Sequence, residues 1–207
     1  MMTADDQRAV LEFCRKRGIW IVADEVYDRI VYDRLYAPSF LDVAESEDLI
    51  LLINSFSKSW CMTGWRLGWI TAPLEFGPVL EKMNEFNIAN AASMAQHAGI
   101  VALREGEDFV HETVKRYGYA RDLVFQRLAG MPRVRLAKPE AAFYAFFAVD
   151  GMDDSLAFAK RLLAETKVGL APGAAFGPSG EGHLRLCYAA TLETLSEAMD
   201  RLAPALS

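Results

Sequence analysis

The stretch Gly18-Ile19-Trp20-Ile21-Val22-Ala23-Asp24-Glu25-Val26-Tyr27 limits the fold most tightly: a short apolar run with glycine in front and acids behind. The run is too short for a core helix and has no polar alternation. It therefore reads as a buried parallel strand over residues 19–23. Strands of that kind belong to parallel sheets covered by helices, so an α/β chain is expected. Residues 3–17 carry a Thr-x-x-Asp start, apolar Val10, Leu11 and Cys14, and a basic end closed by Gly18, the marks of a short amphipathic helix. Residues 48–54, and 67–72 before Pro73, read as two more strands. From 78 to 129 the pattern turns helical, with breaks near 87–90 and 104–106 and a long helix over 107–128. The remainder alternates strand (133–137, 143–149), helix (155–167), strand (168–171, 183–189) and helix (192–202), a small α/β domain. The expected domains are 1–106 and 107–207, with no internal repeat and no low-complexity segment.

Chemistry concentrates in Ile53-Asn54-Ser55-Phe56-Ser57-Lys58-Ser59-Trp60-Cys61-Met62-Thr63-Gly64-Trp65-Arg66-Leu67-Gly68-Trp69. A lysine attacks an aldehyde only when its amine is unprotonated, which a partly desolvated site beside another cation favours. Arg66 is such a neighbour. Ser55 and Ser57 offer hydroxyl donors and Arg66 a bidentate fork to a phosphate dianion. Lys58, on the connection between two strands, thus suits capture of a phosphorylated aldehyde such as pyridoxal 5'-phosphate. Read alone, the segment is also compatible with an ordinary strand, loop and strand bearing a surface lysine. Asp24 sits where the first strand ends, the edge at which open α/β sheets bind ligands. A carboxylate there can keep a pyridine nitrogen protonated. Taken alone, Asp24 followed by Glu25 is more often a helix N-terminal acid pair. Arg185, in the alternating run Gly182-His183-Leu184-Arg185-Leu186-Cys187-Tyr188-Ala189, offers a planar fork for a carboxylate, although an isolated strand arginine is usually a solvated side chain.

Ser-x-Ser-Lys followed by Met-Thr-Gly-Trp-Arg-Leu-Gly-Trp resembles the cofactor-lysine segment of the class I/II aminotransferases of fold type I. Asp24-x-x-Tyr27, the run from Val168 to Gly177, the run from Pro139 to Phe147, and Arg185 match further segments of that family. The resemblance implies an incomplete fold type I large domain, a mostly parallel sheet with helices, followed by a small α/β C-terminal domain. It implies a pyridoxal-phosphate-dependent enzyme that moves an amino group between an α-amino acid and a 2-oxo acid, and a homodimer. Lys58 is implied to hold the cofactor and act as base, Asp24 to hold the ring nitrogen, and Tyr27 to hydrogen-bond the ring oxygen. Ser55, Ser57 and Arg66 are implied to grip the phosphate, and Arg185 the substrate's α-carboxylate. The same toolkit also serves lyases and synthases, and an aminotransferase-like sensing domain is a non-enzymatic alternative.

The balance of 22 basic against 28 acidic residues argues against a nucleic-acid surface. No apolar run approaches the roughly 20 residues that cross a bilayer, and the first residues lack a signal-peptide layout, so a cytoplasmic protein without membrane partners is expected. Cys14, Cys61 and Cys187 are too scattered for a disulfide framework or zinc site, with Cys61 expected as a small buried hydrophobe. His97, His111 and His183 have no metal-ligand spacing. The glycines of 173–182 lack a following Gly-Lys-Ser/Thr, and a mobile active-site loop is expected there.

The matched segments fit only the C-terminal half or somewhat more of a complete family member. The Asn-Pro-Thr-Gly segment, the ring-stacking aromatic residue, the glycine-containing phosphate turn and the N-terminal arm have no counterpart. A shortened reading frame or a cut piece is expected, with sheet surface around 19–22 lacking cover and activity impaired.

Overall fold

The computed structural model describes residues 1–206. The chain divides into two compact units, Met1–Val114 and Lys115–Ser207.

In the first unit, α1 (Ala4–Arg15) starts on a reciprocal cap: the Thr3 hydroxyl accepts from the Asp6 N–H at 3.1 Å and the Asp6 carboxylate from the Thr3 N–H at 3.0 Å. β1 (Ile21–Asp24) and β2 (Ile50–Ser55) pair in parallel, and β3 (Gly68–Thr71) runs antiparallel to β2, giving the order β1-β2-β3. Leu11 and Cys14 of α1 pack with Ile21, Ala23, Phe40, Ile50 and Leu52 on one face of that sheet.

The expected buried strand is buried on one face only, and on the other the 19–22 stretch, expected to lack cover, is exposed. Ile21 and Ala23 are buried, but Val22 between them is 62% exposed, because α1 and the turn at Phe40–Asp42 cover one face only. An ion pair fastens α1 to the β2 approach: Arg15 donates to both Asp48 oxygens at 2.5 and 2.6 Å, and Asp48 also accepts from the Glu45 N–H at 2.7 Å. Arg15 is the main reason the Asp48 carboxyl sits below its ordinary range. The helices α3 (Gly77–Ile88) and α4 (Ser93–Glu105) follow, and α5 (Glu107–Ala129) runs past the boundary at Val114 into the second unit, with breaks where the sequence places them. No residue of α3 is buried.

The second unit holds a wholly antiparallel sheet of order β4-β5-β7-β6, with β4 (Val134–Arg135), β5 (Tyr144–Val149), β6 (Ala171–Pro172) and β7 (His183–Cys187). Alternate residues Ala145, Phe147 and Val149 of β5, and Leu184 and Leu186 of β7, are buried. α6 (Ser155–Thr166) lies against β6, β7 and α7 (Leu192–Leu206), and buries Phe158 and Leu162; α7 buries Leu195, Met199 and Leu202. β6 is shorter than the expected 168–171 strand because pairing with β7 begins only at Ala171 and stops at Pro172, which has no N–H to donate. The segment expected as a mobile loop holds two 3-10 turns, Gly173–Phe176 and Pro178–Gly180, packed backbone to backbone. A Cβ on Gly173 would lie 1.9 Å from the Gly180 carbonyl oxygen, so these glycines permit a close approach. No helix among the described residues is long and apolar enough to cross a membrane.

Candidate active site

Strand register decides which first-unit residues share a face. Asp24 pairs with Ile53, Ile53 with Ile70, and Ser55 with Gly68, so these five positions lie on the sheet face opposite the packed core. Because β1 and β2 are parallel, both carboxyl ends point the same way, and Asp24 and Ser55 are their last residues. The acid pair does not start a helix: residues 26–29 form turns, Asp24 is exposed, and its Oδ1 accepts from the Val26 N–H at 3.3 Å. Glu25 turns elsewhere and accepts from the Phe40 N–H at 2.9 Å.

Lys58 lies in the one-turn helix α2 (Phe56–Ser59) directly after β2. Ser55 caps this turn, its Oγ accepting from the Ser57 N–H at 3.0 Å and donating to the Leu67 carbonyl at 3.2 Å. The single Ser55 hydroxyl proton therefore points at the protein, which leaves the donor role more to Ser57 and Arg66. Lys58 Nζ is 5.6 Å from the centre of the Tyr27 ring, which the turn after Asp24 delivers. Arg66 has left-handed backbone (φ 50°) and donates one N–H to the Thr63 carbonyl at 3.0 Å. Cys61 is left-handed as well (φ 53°) and exposed, which corrects its expected burial: its conformation places it in a bend outside any core. A left-handed non-glycine residue costs about 1 kcal/mol or more, so the segment from Lys58 to β3 holds two strained positions. Ser55, Ser57 and Arg66 line one open cleft of about 910 Å³ with Asn54, Gly68 and Asn84.

A hydroxyl and a guanidinium on one cleft, a lysine on the adjoining turn and a carboxylate at the neighbouring strand end are the donor set a phosphorylated pyridine aldehyde needs. The residues fit such a group. The family model described as aminotransferase class I and II matches residues 1–202. The chain belongs to this family. An aspartate aminotransferase of Pyrococcus horikoshii is 37% identical over 202 residues, which are 96% of this chain and 51% of that enzyme. An aromatic-amino-acid aminotransferase of Thermococcus litoralis is 38% identical over 210 residues, 98% of this chain and 52% of its own. The crystal structure of an aromatic aminotransferase from Pyrococcus horikoshii superposes with a TM-score of 0.93 at 32% identity, covering all of this chain and 56% of that one. This class I/II chain thus spans about half the length of the curated relatives it matches.

In the second unit Arg185 stands on β7 with its guanidinium between two rings, 4.4 Å from the centre of Tyr144 and 4.2 Å from that of Phe176. It is a stacked side chain, not one extended into solvent. His183 lies flat on Phe146 with ring centres 4.9 Å apart. Sequence reasoning missed these rings as partners of Arg185. They stand in the quoted segments, but linking them required the β5–β7 register, in which Phe146 faces Arg185 and Tyr144 faces Cys187. It also missed Arg29, a buried cation two residues past Tyr27.

Proposed function

We propose that this chain is the lysine-bearing part of a pyridoxal-phosphate-dependent aminotransferase that exchanges an amino group between an α-amino acid and a 2-oxo acid. The observation that carries the reading is the placement of Lys58 one turn past a strand end, with Ser55, Ser57 and Arg66 on one cleft and Asp24 ending the adjacent strand. When bound, pyridoxal 5'-phosphate supplies an electron sink for the bond broken at the substrate's α-carbon.

The chain's own groups do the rest. Lys58 would hold the cofactor through its amine, and the same amine, when free, would carry the α-proton as a base. Asp24 keeps the pyridine nitrogen protonated, and the Tyr27 hydroxyl donates to the ring oxygen. Ser57 and Arg66, with Ser55 as the cap that fixes their turn, hold the phosphate. Arg185 takes the substrate α-carboxylate bidentately, and Tyr144 and Phe176 keep its plane in place.

The working form in this reading is a homodimer, supported by the apolar residues that α3 leaves in solvent, among them Val79, Met83 and Phe86. By themselves the 207 residues are an impaired catalyst, since the sheet face that carries Asp24 is open to water. The test is amino-group transfer across a panel of amino acids, with Asp24→Asn beside the unsubstituted chain in its longest natural form. Transfer that falls at least about a hundredfold in Asp24→Asn, with cofactor still captured, supports the reading. No transfer by the long form from any α-amino acid, or full transfer by Asp24→Asn, contradicts it.

A further inference from the structure

Arg29 is a buried cation that the proposed chemistry does not use. Its side chain is 9% exposed, and its Nε has no hydrogen-bond acceptor among the described residues. One terminal nitrogen donates to Glu107 in the first turn of α5, and the guanidinium lies 4.7 Å from the centre of the Tyr36 ring and 5.7 Å from that of Trp60. Burying a guanidinium whose ion-pair partner is half exposed and whose Nε has no acceptor among the described residues is a costly arrangement, so a side chain kept in it needs a reason.

The three contacts lie on three segments, and the one ending in Trp60 is the turn that carries Lys58. Arg29 follows Tyr27 in the turn after β1. Trp60 closes the one-turn helix that carries Lys58, and its indole N–H donates to the Ala102 carbonyl of α4 at 3.0 Å. Trp60 also leans on Phe56 at the other end of that helix, ring centres 5.1 Å apart. A Cβ on Gly106, just before α5, would lie 2.9 Å from the Trp60 ring, so the indole is seated tightly against the α4–α5 junction. Asp28, next to Arg29, has its carboxyl pushed up by burial while the Arg29 charge pulls the other way.

We propose that Arg29 is a positioning residue for Lys58: stacked on Trp60 and Tyr36 and tied to Glu107, it fixes the Lys58 turn relative to the Tyr27 turn. This rests on Lys58 as the aldehyde-capturing amine. It acts through Trp60 and Tyr27 and touches neither aldehyde nor substrate. Misplacing a reacting amine slows bond formation more than it weakens the binding that precedes it.

The experiment measures capture of pyridoxal 5'-phosphate by the chain in the presence of cyanoborohydride. The Lys58 amine adds to the aldehyde carbon with loss of water, and hydride from the reagent fixes a secondary amine that peptide mass mapping locates. Rates at increasing pyridoxal phosphate give a saturating rate and a half-saturation concentration. In Arg29→Met the saturating rate at Lys58 falls about tenfold or more, with half-saturation changed by less than about twofold. Arg29→Lys, which keeps a charge for Glu107 but loses the planar stack, recovers the rate in part. Should Arg29→Met fail to fold, Tyr36→Leu and Glu107→Gln, at half-exposed residues, carry the same test and the same expected slowing. An unchanged saturating rate in folded variants overturns the proposal, as does loss in half-saturation alone. Absence of labelling at Lys58 in the unsubstituted chain overturns the reading beneath it, a result no Arg29 variant can mimic.

Discussion

The two units solve the same problem to different degrees. Each has a sheet with one face packed and one face in water, but the open faces differ in kind. The second unit's open face carries Tyr144, Phe146, His183 and Arg185, side chains that stack on one another and keep polar atoms wet. The first unit's open face carries Val22, Ile53 and Ile70, and α3 adds Val79, Met83 and Phe86. Amphipathic α6 and α7 each bury a row of apolar residues, whereas α3 buries none. A unit with a closed core can hold a stacked arginine in place without help. Apolar surface of this kind is what association would cover, and the same unit carries Lys58 and the cleft lined by Ser55, Ser57 and Arg66.

The sharpest way to break this comparison is a pair of phenylalanine truncations. Phe147, fully buried on β5, should lose about 3–5 kcal/mol of stability on change to alanine, whereas Phe86, 80% exposed on α3, should change by less than about 0.5 kcal/mol. Denaturant melts of the two variants measure it, and equal losses would mean that α3 packs as α6 and α7 do. The next effect is on assembly. The chain should self-associate in solution, and the double change Met83→Glu with Phe86→Glu should shift its mass in light scattering toward the monomer at least about tenfold in dissociation constant. A monodisperse unsubstituted monomer would remove α3 as an association face.

A smaller effect belongs to the ion pair behind the first sheet. The Asp48 carboxyl is held below its ordinary value by Arg15, so its contribution to stability is present above the unfolded carboxylate value of about 4 and is lost as pH falls through its lowered folded value. Asp48→Asn should flatten the acid limb of a melting-temperature profile there and leave the neutral limb merely lowered. An acid limb identical to that of the unsubstituted chain would place the acid sensitivity elsewhere.

Much of this was legible before any coordinates. The Thr3 cap, the helix breaks near 87–90 and 104–106, and the strand end at Asp24 are written in local residue chemistry, and each appears where that chemistry puts it. The apolar run by itself states what a strand can bury and not which of its faces another element covers; the uncovered surface around 19–22 was expected only from the segments the resemblance lacked. Left-handed Cys61 lies outside sequence pattern for a related reason, since a bend imposed between α2 and β3 overrides the preference of a small apolar residue. The candidate residues divide likewise: in the first unit Lys58, its serines and Arg66 announce themselves by spacing, whereas Arg29 there, and Tyr144 and Phe176 in the second unit, gain their partners only through register and turns.

Lys58 is the amine proposed to capture the cofactor's aldehyde, and every other role assigned above depends on it. Borohydride reduction of the chain with pyridoxal 5'-phosphate, followed by peptide mass mapping, measures this directly. One pyridoxyl group per chain on the peptide containing Lys58, lost in Lys58→Ala, is the result predicted; specific labelling of another lysine with Lys58 unmodified would contradict it.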